Sequence, residues 1–316
     1  MTTVAQIEKG GRVRKKYRAG FVAILGRPNA GKSTLLNALV GQKVAIVADK
    51  PQTTRTAIQG VLTLGGAQIV FIDTPGIHRP DSQLNKRLMD TVRNSLEERD
   101  LLLFLVDSTA EFGIQDQRAA DLVHKTGTPV VLVLNKVDLL KDKALLLPLI
   151  EQYKAGHEFA DYVPVSALRR KGLDELRKVI LDRLPEGPAY FPDDYVTDQP
   201  ERFLAAELIR EKVLAATRQE VPHSVTVVVD QWEETPRLTR IFATIHVERP
   251  GQKAIVIGAK GAMLKKIGTL ARQEMERLFG VKIYLDLHVR VQPGWREQAA
   301  YLNTLDWRTM AGKDDS

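Results

Sequence analysis

Phe21-Val22-Ala23-Ile24-Leu25-Gly26-Arg27-Pro28-Asn29-Ala30-Gly31-Lys32-Ser33-Thr34 is the stretch that decides how this chain is read. The five apolar residues at its start predict a buried strand, and Thr34-Leu35-Leu36-Asn37-Ala38-Leu39 after it carries a helical pattern. Between them runs G-x-x-x-x-G-K-[ST], the spacing of a phosphate-cradling loop. Gly26 and Gly31 let the backbone wrap a polyphosphate so that successive N–H groups point inward. The positive end of the following helix faces the same anion. Lys32 is placed to reach the outer phosphates, and the Ser33 hydroxyl suits Mg²⁺. Residues 26–34 are therefore expected to hold a nucleoside triphosphate.

Reading downstream, Ile69-Val70-Phe71-Ile72 predicts a second buried strand, which ends in Asp73-Thr74-Pro75-Gly76. An aspartate at the carboxyl end of such a strand lies where open α/β sheets meet their ligands. Asp73 suits Mg²⁺, and the Gly76 N–H suits a γ-phosphate. A third strand, Val130 to Leu134, leads into Asn135-Lys136-Val137-Asp138. The Asp138 carboxylate can accept from guanine N1–H and N2–H₂, a pair that adenine lacks, so the base is expected to be guanine. Val165-Ser166-Ala167 closes a fourth strand, and the Ala167 N–H is expected to meet guanine O6. GTP and GDP with Mg²⁺ are the implied ligands.

These four motifs in this order resemble the Ras-like GTPase superfamily over about residues 20–184. The resemblance implies a P-loop domain with a mostly parallel sheet and helices on both faces. It also makes Lys43–Thr56 the first switch segment, in which Thr54 closes over Mg²⁺ with Ser33 and Asp73; Thr53 is the alternative. Lys32, Thr54 and Asn29 become the expected catalytic residues. One departure matters. Where Ras-type proteins carry a water-orienting glutamine after the D-x-x-G glycine, this chain has Ile77. The resemblance then implies slow hydrolysis or a borrowed group. Relatives with the Asn29 asparagine use it to hold K⁺ near the β- and γ-phosphates; a loop-stabilising role is the alternative.

Composition separates the two ends of the chain. The formal charge is +7 over 316 residues. Residues 240–296 hold eleven Lys or Arg against four Asp or Glu, so that segment alone accounts for a local +7. A polyanionic partner is expected there. There is no cysteine, which excludes disulfides and thiolate metal sites and fits a reducing cytosol. The longest apolar run, Leu101 to Val106, is too short to span a bilayer. Residues 1–19 form a basic tail with Lys9, Arg12, Arg14, Lys15, Lys16 and Arg18, expected to be solvated, with RNA or anionic lipid as alternative contacts.

Pro-rich residues 185–200 are the expected linker. From Glu201 a helical pattern reaches about Arg218, with Phe203, Leu204, Leu208, Ile209, Val213 and Leu214 on one face. Strands are expected over 225–229 and 240–247. Ala254-Ile255-Val256-Ile257-Gly258-Ala259-Lys260-Gly261 precedes an amphipathic helix to about Leu278, and Lys282 to Val291 alternates as a last strand. His223 and His246 are too scattered for a metal site. The G-x-x-G in this setting resembles a KH domain of type 2, an α+β unit over 201–296, with 297–316 as a C-terminal tail. That resemblance implies a clamp on single-stranded RNA made by Ile257, Gly258, Ala259, Lys260 and Gly261, with Lys265 and Lys266 supplying charge.

A Ras-like domain with Asn29 and Ile77, followed by this KH type, resembles a family of bacterial ribosome-assembly GTPases over nearly the whole chain. The resemblance implies the 3′ end of small-subunit ribosomal RNA and the 30S subunit as partners. It also implies a monomer without DNA binding, and a cytoplasmic location with peripheral inner-membrane contact as an option. A membrane-surface regulatory GTPase and a non-hydrolysing nucleotide-bound RNA adaptor are the alternatives.

Overall fold

The computed structural model describes residues 16–50, 52–77, 82–124, 126–217, 221–222, 224–303 and 307. Most of the basic N-terminal tail, His223 and Arg218 lie outside these residues. In chain order the first half contains β1 (Arg18–Leu25), α1 (Lys32–Val40), β2 (Ile58–Leu64), β3 (Ala67–Asp73), α2 (Gln83–Leu96), β4 (Leu101–Asp107), α3 (Ile114–His124), β5 (Val130–Asn135), α4 (Leu146–Lys154), β6 (Asp161–Pro164) and α5 (Leu173–Arg183). The strands lie in the order β2-β3-β1-β4-β5-β6, all parallel except β2 against β3. Runs such as Leu101–Val106 are apolar throughout because helices cover both faces. One face packs on α1 and α5 through Leu35, Leu39, Leu176 and Ile180. The other packs on α2, α3 and α4 through Met89, Val92, Val123 and Leu149.

This topology gathers the motif loops. The loops after β1, β3, β5 and β6 all leave the carboxyl edge of the sheet, so residues far apart in sequence share one rim.

The second half contains α6 (Glu201–Ala216), β7 (Thr226–Thr235), β8 (Leu238–Val247), α7 (Pro250–Ile257), α8 (Ala262–Phe279), β9 (Lys282–Val291) and α9 (Ala299–Asn303). β7 and β8 form an antiparallel hairpin, and β9 joins β8 in parallel after the α7–α8 crossover. Helices α6 and α8 cover one face of this three-stranded sheet, burying Leu208, Ile209, Ile241, Ile245, Ile267 and Met275. The first strand is longer than the 225–229 expected from the sequence. A bulge between Val229 and Gln231 lets the polar second half stay in register and puts Trp232 back on the helix side, against Phe279.

The linker is pinned rather than free. Gln68 takes the Tyr190 and Phe191 N–H groups on its Oε1, Val61 N–H donates to the Val196 carbonyl, and Gln199 reaches the Val44 carbonyl. The segment beyond 297 includes α9, whose Leu302 is buried with Trp295 against Leu84 and Leu88 of α2. Among the described residues no helix is long and apolar enough to cross a membrane.

Candidate functional site

The loop between β1 and α1 is held open by its backbone. Asn29 and Gly31 both adopt left-handed φ, at 62° and 100°. A Cβ on Gly31 would lie 2.4 Å from Asn135 Nδ2, so glycine is required there both for its backbone and for the close approach. Asn135 ties two motifs together. Its Nδ2 donates to the Ala30 carbonyl at 2.8 Å, and its Oδ1 accepts from the Ala167 N–H at 3.0 Å.

Lys32 is buried, with its ammonium folded back on the carbonyls of Gly26 and Arg27 at 3.1 Å each. Burial lowers its pKa to about 8, a shift that the nearby Asp73 partly opposes. Asp73 is also fully buried, and desolvation raises its carboxyl to about 6 against the pull of Lys32, Ser33 and Thr54. Ser33 Oγ donates to Asp73 Oδ2 at 2.6 Å, Thr54 Oγ1 lies 3.2 Å from the same oxygen, and the two hydroxyls are 2.9 Å apart. Asp73 Oδ1 is buried with no hydrogen-bond partner among the described residues. Three hard oxygen donors with an orphaned carboxylate oxygen fit Mg²⁺ well. A cleft lined by Asn29, Lys32, Ser33, Thr34, Thr54 and Gly76 opens beside them.

Other motif residues have framework contacts. The Arg27 guanidinium turns away from the loop to Asp116 at 3.2 Å and Asp107 at 3.7 Å, which leaves its backbone as the part facing the cradle. Asp116 is buried and also accepts from the Tyr153 hydroxyl and the Gly113 N–H. Pro28 sits against Gly76, where a Cβ would fall 3.0 Å from Pro28 Cα. Thr74 is buried and bonds the Ile24 carbonyl, and Ile77 packs into the core behind the loop. Pro75 lies between them in the same turn.

At the base-recognition end, Lys136 is left-handed and pairs with Asp107 at 2.7 Å. Val137 starts a single 3₁₀ turn that presents Asp138, whose carboxylate lies 3.9 Å from Arg169 Nε. Ser166 Oγ accepts from the Arg169 N–H. The Ala167 N–H, expected to meet guanine O6, donates here to the Asn135 Oδ1, which reaches across from β5.

The second expected site is the turn between α7 and α8. Gly258 has φ 72°, and a Cβ would lie 2.6 Å from Met263 Cβ. Lys260, also left-handed, is exposed with Ala259, while Gly261 caps the start of α8. Lys265 and Lys266 are exposed on the first turns of α8. Ile255 to Ile257 do not form a flat platform: as the last turn of a helix, they send Val256 into the core and leave Ile255 outward. His246 is buried against the Tyr301 ring, and burial lowers its pKa.

A third set of residues had no motif to mark it. The segment 43–56 is held by α6. Lys43 pairs with Glu211 at 2.7 Å and with Glu274 of α8 at 2.5 Å, and Glu211 Oε1 accepts the Val47 N–H. Arg210 donates to the Gln52 and Thr53 carbonyls. Arg55 donates to the Val225 carbonyl at 2.9 Å and stacks 5.3 Å over Trp295. Ile46 sits in the core of the second half. No sequence motif covers Glu207, Arg210 or Glu211, so nothing there marks the interface.

Comparison with known proteins agrees with both halves. Residues 21–136 match the family model of the 50S ribosome-binding GTPases, and residues 220–296 match that of the KH domain. The chain is 50% identical over 293 residues to GTPase Era of Geobacter metallireducens, covering 92% of this chain and 98% of that one. It resembles the crystal structure of an Aquifex aeolicus Era variant bound to GDP·AlF₄⁻, with a TM-score of 0.88 and 42% identity over 92% of this chain and 99% of that one. It resembles equally, at 0.89 and 42% over the same shares, the crystal structure of Era in complex with MgGDPNP and nucleotides 1506–1542 of 16S ribosomal RNA.

Proposed function

Because the chain belongs to the GTPase Era family, a GTPase domain joined to a KH domain, we propose that it hydrolyses GTP and binds the 3′ region of 16S ribosomal RNA during 30S subunit assembly. One observation carries the catalytic half: the Ser33 and Thr54 hydroxyls converge on Asp73 beside the buried Lys32. Mg²⁺, when bound, screens the phosphate charge that develops during transfer. Ser33 and Thr54 would supply hydroxyl ligands to it, and Asp73 a carboxylate oxygen. Lys32 exchanges its two carbonyl acceptors for phosphate oxygens, with little further desolvation because it is already buried. Backbone N–H groups of residues 29–34 cradle the polyphosphate, Gly76 meets its terminal group, and Asp138 reads the guanine edge. Asn135 acts as the brace between cradle and base loop.

Ile77 packs in the core and cannot orient a water, so the chain itself supplies no glutamine-like group at that position. Asn29, at the mouth of the cleft, holds K⁺ in this reading. The Gly258–Gly261 turn takes the RNA backbone, with Lys260, Lys265 and Lys266 as counter-charges. The chain acts as a monomer, in the cytoplasm, where reducing conditions suit a chain without cysteine.

A direct test is single-turnover GTP hydrolysis with and without Mg²⁺, run beside filter binding of a 16S 3′-terminal RNA. Absence of Mg²⁺-dependent turnover, or no preference for that RNA over an unrelated strand, would refute the respective half.

A peripheral membrane role has one observation in its favour. Leu139, Leu145 and Leu168 on the turns near Asp138, and Leu147 in the first turn of α4, are all more than half exposed, among Lys141, Lys143, Arg169 and Arg170. Exposed leucines with flanking cations suit an anionic bilayer. Sedimentation with phosphatidylglycerol vesicles, compared with a Leu139→Ser/Leu168→Ser variant, decides it.

A further inference from the structure

The buried charges on α6 raise a physical question. Arg210 is 1% exposed and Glu211 is 5% exposed, on a helix whose packing is already supplied by Leu204, Leu208, Ile209, Val213 and Leu214. A buried ion pair is weak evidence for stability, since well-packed apolar residues of similar volume often do as well or better. The polar partners of this face lie elsewhere, in the segment 43–56. Glu207, Arg210 and Glu211 are three and four residues apart, so one face of the helix presents all three to that segment.

The geometry is that of a held peptide. Glu207 fixes the Arg210 guanidinium through Nε at 2.7 Å and Nη2 at 2.6 Å. The rest of the fork donates to the Gln52 carbonyl at 3.4 Å and to the Thr53 carbonyl. Gln52 stands at φ 61°, a left-handed conformation that a residue of this kind keeps only where its surroundings over-determine it. A second hold on it comes from the switch-side helix α2, where Asn85 Oδ1 accepts from Gln52 Nε2 at 2.8 Å. The next residue after these two carbonyls is Thr54, whose hydroxyl must stand beside Ser33 and Asp73.

We propose that Arg210, oriented by Glu207, is a positioning residue for GTP hydrolysis: from the first helix of the RNA-binding half it fixes the 52–53 peptides and thereby sets Thr54 at the Mg²⁺ site. The proposal rests on the reading of Thr54 as a magnesium ligand. It makes the second domain part of the hydrolytic machinery without any of its atoms touching nucleotide.

The test uses the full chain and titrates Mg²⁺ in single-turnover and steady-state GTP hydrolysis. Arg210→Ala should lower kcat about tenfold or more, since small displacements of a positioned group have effects of that order. KM for GTP should change little, because the cradle is untouched. The Mg²⁺ concentration for half-maximal rate should rise, a readout that a merely structural role would not move. Arg210→Lys, a single-point donor with the same charge, should recover part of the loss. A Glu207→Leu/Arg210→Met double variant removes the pair without orphaning a charge and should match Arg210→Ala. Wild-type kcat and Mg²⁺ requirement in folded Arg210→Ala overturns the proposal. If that variant does not fold, the same result in the double or the lysine variant overturns it. Thr54→Ala is run in parallel. Normal turnover there defeats the Thr54 reading and this proposal with it, whereas impaired Thr54→Ala beside normal Arg210 variants defeats the Arg210 assignment alone.

Discussion

The nucleotide cleft and the α6 interface differ in how their residues are distributed. In the cleft, every proposed role but that of Thr54 belongs to a short contiguous motif at the end of a strand, and the mostly parallel sheet brings the four motifs to one edge. At the interface, Lys43, Gln52, Arg55, Arg210, Glu211 and Trp295 come from stretches far apart in sequence, and no two neighbours form a recognisable motif. A contiguous motif is constrained by its own backbone geometry and can be read in a line of sequence. A distributed interface is constrained only by the docked fold. In the proposed reading the first carries the chemistry, and the second sets where the first switch segment stands.

The sharpest way to break this contrast is at the base loop. Asp138→Asn should lose the pairing to guanine and gain xanthine nucleotides, which carry a carbonyl where guanine has a donor. The ratio of GTP to XTP affinity should move by about 10⁴-fold, the discrimination expected when a buried polar group is left unpaired. A variant that still prefers GTP would show that the motif does not act alone. Next comes the interface. Trp295 is fully buried, donates to the Ser224 carbonyl at 3.0 Å and packs on Leu84 and Leu88. Trp295→Ala should reduce stability in urea by about 3–5 kcal/mol, with GDP affinity nearly unchanged. A loss of only about 0.5 kcal/mol, the size of a surface substitution, would mean that the two halves are not cooperatively joined. Smaller again is the effect at the G-x-x-G turn. Ala259→Asp with Lys260→Asp places two carboxylates against an RNA backbone, a juxtaposition worth several kcal/mol. RNA affinity should fall by about a hundredfold, with the salt slope flattened by about 0.7 for each phosphate no longer neutralised. Unchanged RNA binding would rule out the clamp.

Much of the architecture was legible because periodicity and turn chemistry agreed. The last strand, Lys282–Val291, coincides with its alternating pattern. The proposed metal-site triad was legible only in pieces. Ser33 and Asp73 follow from motif position, whereas Thr54 rests on family resemblance, and only the fold brings its hydroxyl within 2.9 Å of Ser33. What sequence could not assign was the partner of an individual polar atom. Motif position does not reveal that the Ala167 N–H meets the Asn135 side chain 32 residues away. Nothing local singles out Arg210 and Glu211, because helical spacing records which residues share a face but not what that face meets. Arg55 is the extreme case, a buried guanidinium whose pKa is lowered to about 9 by burial and by its neighbour Arg210. No local sequence signal marks such a residue.

The smallest expected effect concerns Asn29, and it bears on which region supplies the help that Ile77 cannot give. If Asn29 holds K⁺ at the cleft mouth, single-turnover GTP hydrolysis should run several-fold faster in potassium than in sodium at equal ionic strength. Asn29→Ala should erase that difference while leaving GDP affinity nearly unchanged. The backbone at this position is left-handed, at φ 62°, a conformation that asparagine tolerates better than alanine. Asn29→Gly, which keeps the φ and removes the carbonyl oxygen, therefore separates ion binding from loop strain. Loss of the potassium effect in both variants assigns it to the side-chain oxygen. Loss in Asn29→Ala alone would make Asn29 a conformational residue. Equal rates in the two salts for the wild-type chain would place the missing catalytic help outside the nucleotide cleft altogether. The distributed interface, or the RNA and ribosomal partners it answers to, would then be the source of catalytic assistance.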